Sequence, residues 1–144
     1  IIVGDGPERK KIDEYVETHN LGLRVQLTGH IKNFNKLKEL YDKSLVSVSP
    51  GYVGLSITQS FAFGVPMLIS RNEDHSPEIE AVKESSNAIF FQTDNQNDFC
   101  LKVEEIFKSK KVFFEKRNII ADKCKKHYTI EQMAISFVQI LKDN

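Results

Sequence analysis

The sequence has no net charge to spend on a partner. Lys and Arg together number 20, and so do Asp and Glu. That balance excludes a long-range pull toward nucleic acid or an anionic membrane surface. One local basic run stands out, comprising Lys108, Lys110, Lys111, Lys116 and Arg117. It reads either as a solvated helix face, the commoner meaning of such a run, or as a peripheral contact with a membrane.

Cysteine is scarce. Cys100 and Cys124 stand alone, with no CxxC spacing and no histidine pattern around them. They read as reduced thiols of a cytoplasmic protein, placed on helices where they serve packing. No set of His, Cys and carboxylates has metal-ligand spacing, and no Ser/His/Asp arrangement stands out. No apolar run approaches the roughly 20 residues that span a bilayer. Nothing reads as a signal peptide. Repeats, low-complexity segments and an obvious linker are all lacking, so residues 1–144 read as a single domain, long enough to bury a core. An initiator Met is lacking too. The chain opens on Ile1-Ile2-Val3, already an apolar strand pattern, and is expected to be a fragment of a longer protein.

What is present is alternation. Ile1 to Val3 predicts a strand that meets the turn Gly4-Asp5-Gly6-Pro7, with Pro7 suited to the first position of a helix. That helix carries Ile12, Tyr15 and Val16 on one face. Leu23, Val25 and Leu27 alternate with polar residues and predict a second strand. Phe34, Leu37, Leu40 and Tyr41 recur at helical spacing. Leu45 to Val48 predicts a third strand, broken by Ser49-Pro50-Gly51 and followed by an apolar helix from about Val53 to Phe63. Val65 to Ile69 and Ala88 to Phe91 complete five strands, with a short helix from Pro77 to about Glu84 between them. Helices follow to the end. One is striped by Phe99, Val103, Ile106 and Phe107, and another runs from Val112 to Lys126. The last is opened by the capping-box pattern Thr129-Ile130-Glu131-Gln132, with Ile130, Met133, Ala134, Phe137, Ile140 and Leu141 inward. The fold class is therefore α/β, a Rossmann-like three-layer domain with a parallel sheet and a helical C-terminal tail.

Such sheets bind ligands at the carboxyl ends of their strands. In Ser49 to Leu55, glycines at 51 and 54 permit close approach of backbone to a ligand at the start of a helix, where unpaired N–H groups favour phosphate. A tight strand-to-helix turn also needs glycine for steric reasons alone, and the turn by itself does not decide between the two. Gln59 is polar on an otherwise apolar helix, and its amide suits a ribose hydroxyl or simply a helix surface. Gly4-Asp5-Gly6-Pro7 lacks the third glycine of the dinucleotide fingerprint, since Arg9 stands there, which disfavours a nicotinamide site. His30 and His75 each sit in a strand-end turn. Glu78 opens a short helix, where a carboxylate is favoured electrostatically and where it could also face a sugar or a diphosphate.

Taken in order, these turns resemble the C-terminal domain of GT-B glycosyltransferases, specifically the large retaining group called family 4. The segments that carry the resemblance are Ile2 to Pro7, Val25 to Ile31, Ser49-Pro50 through Gly54-Leu55 to Gln59, and Ala62-Phe63-Gly64-Val65-Pro66. Together they span nearly the whole chain. The resemblance implies that a UDP- or GDP-sugar donor is bound by Gly4, by the backbone of Gly29 and His30 toward the base, by Gly51, Tyr52, Val53, Gly54 and Leu55, by Gln59 toward the ribose, and by Glu78. It implies no cofactor and no required metal. It also implies retaining transfer to a saccharide or lipid-linked acceptor, held by an upstream domain, with the present chain inactive alone.

The family signature normally holds two glutamates with seven residues between them. Those positions are Gly51 and Gln59 here. Members that assemble bacterial surface polysaccharides look similar in this respect. The substitution leaves two further readings open: a non-catalytic nucleotide-sugar-binding scaffold, and an epimerase of the same fold acting on the same donor class.

Overall fold

The computed structural model describes residues 1–142, which form two compact units divided after Leu40. In the first, Ile2 pairs with Leu27 in parallel and Gly4 faces Gly29 in antiparallel fashion, each as an isolated bridge. The two strands expected here are thus reduced to single pairings. The reason is local: Arg24 and Val25 both donate their amides to the Leu21 carbonyl, which closes a turn where the second strand was expected to begin. Leu23 is left wholly exposed. Helix α1, Arg9–Thr18, starts two residues after Pro7, because the Arg9 amide is first used to close a turn on Gly6.

The boundary between the units falls within α2, Phe34–Lys43. Beyond it lie β1, Ser47–Ser49; α3, Ser56–Ala62; β2, Met67–Ser70; a 3₁₀ helix, Pro77–Ala81; and β3, Ala88–Phe91. Helices α4, Gln96–Lys108, α5, Lys110–His127, and α6, Ile130–Lys142, follow. The three strands are parallel in the order β1-β2-β3, with Ser47 beside Met67 and Met67 beside Ala88.

Strand β2 is central, and all four of its residues are buried. Its side chains alternate between two cores, as strand geometry requires. Met67 and Ile69 join Val53, Ile57 and Phe61 on one face, together with Ile120 and Cys124 of α5. Leu68 joins Phe91, Ile106 and Phe99 on the other, where α4 packs. Helices therefore cover both faces of a parallel sheet, which makes this an α/β Rossmann-like fold with a helical tail. Burial of Ile57, Phe61 and Leu68 is worth about 1.5–3 kcal/mol for each side chain.

Two expectations about the helices are corrected. The predicted 77–84 helix is a 3₁₀ helix that stops at Ala81, since Val82 takes an extended conformation. The apolar stripe of α6 does not turn inward: Ile130, Met133, Phe137, Ile140 and Leu141 are all more than half exposed. An apolar stripe is buried only where a second surface faces it, and α6 packs on α5 alone among its stronger neighbours. Its start is as expected, with Thr129 Oγ1 accepting from the Gln132 amide.

Candidate functional site

The turn after β1 is built from its hydroxyls and glycines. Ser49, buried at the end of the strand, directs its Oγ to the carbonyls of Gly51 and Tyr52 at 3.2 and 3.1 Å. Val53 is fully buried and lies before the helix, not within it. Its N–H donates to His75 Nδ1 at 3.2 Å, and its carbonyl accepts from the Ser76 amide at 3.1 Å. Those two bonds commit Val53 to the loop after β2, so α3 begins only at Ser56 and not at Val53. The amides of Gly54, Leu55 and Ser56 donate to no group among the described residues.

Gly54 is closely packed by side chains. A Cβ there would lie 3.0 Å from Ser76 Oγ and 3.6 Å from the Tyr52 ring. Gly51 is different: a Cβ would meet no non-adjacent atom within 4 Å. Tyr52 and Leu55 are exposed on the rim, and Gln59 is exposed on α3 one turn further on.

The loop after β2 supplies the other wall. His75 Nε2 lies 2.9 Å from the Ser70 carbonyl. Because Nδ1 accepts from Val53, the ring proton sits on Nε2 and is donated to that carbonyl. The Ser76 hydroxyl donates to Glu78, and this bond, with that of Glu78's own amide, holds the carboxyl below the usual glutamate range. Thus Glu78 is joined through Ser76 to the Gly54 turn. The lone cation between Ser70 and Glu78, Arg71, pairs with Glu84 and lies over the Phe90 ring. Arg71 is thus the one side-chain cation on the two loops and is already paired, whereas Glu73, Asp74 and Glu78 are present.

In residues 1–40, Gly4 and Gly29 are brought together. The Gly4 amide donates to the Gly29 carbonyl at 2.9 Å, and both residues have positive φ, +134° and +70°. Only glycine adopts such angles readily. His30 beside them is exposed.

The basic run is already engaged. Arg117 donates to the carbonyls of Tyr41, Asp42 and Ser44, and Lys116 to that of Ser85. Lys108 and Lys111 pair with Glu104 and Glu115, and Lys110 lies over Phe107. No helix among the described residues is long and apolar enough to cross a membrane, and no cluster of three or more His, Cys, Asp or Glu could hold a metal ion there.

Sequence reasoning left His75 out of the site. Its partner Val53 is 22 residues away in the chain, and nothing local signals the pairing. The only signal was its place in a polar loop at a strand end.

The family model described as glycosyl transferases group 1 matches residues 1–127. No curated protein matches the chain. Among solved structures, the chain is similar to a sucrose-phosphate synthase from Thermosynechococcus elongatus, with a TM-score of 0.78 at 20% identity, covering 98% of this chain and 37% of that one. It is similar to a glycosyltransferase from Rickettsia africae, with a TM-score of 0.77 at 14% identity, covering 98% and 38%. It is also similar to the lipopolysaccharide outer core galactosyltransferase WaaB, with a TM-score of 0.74 at 15% identity, covering 99% and 40%. The chain therefore spans well under half the length of these three structures.

Proposed function

Because the chain belongs to the glycosyl transferases group 1 family, we propose that it binds the nucleotide-sugar donor of a glycosyl transfer at the loops that follow β1 and β2. The observation that carries this reading is the turn at Val53 to Ser56. There a buried, doubly bonded Val53 fixes a glycine-bearing turn whose next three amides have no partner among the described residues, at the carboxyl end of a parallel strand. Backbone amides of this kind stabilise a diphosphate as it leaves with increased charge. Gln59 serves the ribose, through hydrogen bonds weaker than a carboxylate would make. The role that the resemblance gives Gly29 and His30 toward the base is tested by their own amide shifts in an NMR titration with the same nucleotides.

The reaction class follows from the resemblance to family 4: transfer with retention to a saccharide or lipid-linked acceptor, without a metal, in a longer enzyme such as those that build bacterial surface polysaccharides. The partners already held by the basic run favour a solvated face there over membrane contact. The donor is a UDP- or GDP-sugar. With three carboxylates and no free cation on the two loops, this chain alone binds nucleotide weakly. A second reading, a nucleotide-sugar-binding scaffold without catalysis, rests on Gly51 and Gln59 in the glutamate positions.

Calorimetric titration of UDP and GDP tests the binding claim. One nucleotide should bind, and Gln59→Leu should weaken it about fivefold, the worth of one hydrogen bond. Unchanged affinity in that variant removes Gln59 from the site.

A further inference from the structure

We propose that His75 is a positioning residue for the donor: its neutral imidazole clasps the Gly51–Leu55 turn to the loop after β2, and donor affinity depends on that clasp. The inference rests on the reading that the nucleotide is held at this turn. The geometry is specific. Nδ1 takes the Val53 N–H at 3.2 Å, and Nε2–H reaches the Ser70 carbonyl at 2.9 Å. The ring thus bridges the end of β2 and the turn after β1. The adjacent Ser76 amide binds the Val53 carbonyl, so both polar groups of Val53 are held from one side. The His75 amide itself closes on the Glu73 carbonyl at 2.9 Å, which sets the ring's starting point.

The next residue after Val53 is Gly54, whose amide begins the unpartnered stretch. Loss of the clasp frees Val53 and lets those amides diverge. A preorganised donor set is what makes backbone N–H groups effective toward an anion.

The clasp works in one protonation state. An imidazolium carries N–H at both nitrogens, so Nδ1–H would point at the Val53 N–H, donor against donor. The ionisable groups on the two joined segments are Glu73, Asp74 and Glu78 on its own loop and Tyr52 on the turn that it binds. Its hydrogen bonds go to backbone and not to any of these.

The test measures affinity for the tighter of UDP and GDP at about pH 8 and at about pH 5.5. Wild type, His75→Ala and His75→Asn are compared, with thermal unfolding of each recorded. Asn offers an oxygen near the Nδ1 position and cannot take up a proton. At the higher pH, His75→Ala should bind about tenfold more weakly, and His75→Asn should stay within about threefold of wild type. Lowering the pH should weaken wild type more than His75→Asn, since the nucleotide's own phosphate titration is common to both. A folded His75→Ala that binds like wild type overturns the inference, and so does an equal pH response of wild type and His75→Asn. If His75→Ala does not fold, the pH comparison of the other two decides. If wild type binds neither nucleotide, the donor-site reading fails and takes this inference with it.

Discussion

A Cβ on Gly64 would fall 2.5 Å from the carbonyl oxygen of Arg117. Gly64 ends α3 with φ +71°, and α5 crosses directly over it. This glycine is needed twice, for its left-handed backbone and for the close approach of the two elements. The contact is with backbone, which cannot rotate away. Gly64→Ala should therefore destabilise the fold by about 2–4 kcal/mol, the combined cost of strained backbone and overpacking. Urea unfolding measures it, and a loss below about 0.5 kcal/mol would contradict the packing described.

The two cysteines should react at different rates. Cys124 is buried where α5 packs on α3, where desolvation raises its thiol pKa and its Sγ lies 3.5 Å from the Thr58 carbonyl. Cys100 is exposed on α4. The thiolate is the reactive form. Alkylation of the native protein should label Cys100 first and reach Cys124 only on unfolding. Equal labelling would mean that the α3–α5 core opens readily.

Glu78 should titrate low, and Ser76 should be the main cause. Its folded value is depressed, so the stability it contributes is present above the ordinary glutamate range and is lost as pH falls through the lowered value. Ser76→Ala should move the Glu78 titration upward, as read from its carboxyl carbon by NMR. No movement would assign the shift to the Glu78 amide instead.

The second unit was largely legible, and for a physical reason. Met67 to Ile69 and Ala88 to Phe91 are continuous apolar runs because both faces of a parallel sheet are covered. The turn Ser49 to Gly54 was legible from glycine and proline. The first two strands were less so, since Leu23 to Leu27 alternates correctly but the Leu21 carbonyl captures two amides at its start. The start of α3 was misplaced because Val53 looks helical by composition, while its N–H is bound by His75, a partner remote in sequence. The inward face of α6 failed for a similar reason: amphipathic spacing reports a face that can be buried, not the surface that buries it. For the site itself, the family resemblance supplied the candidate residues. The sequence pattern alone would have stopped at a glycine-rich turn.

Donor binding at the turn after β1 is tested most directly by amide chemical shifts in a titration with UDP and GDP. Shifts are expected to centre on Gly51 to Gln59 with one of the two nucleotides, largest at Gly54 and Leu55. Absence of shifts in that stretch with both nucleotides at millimolar concentration would contradict it.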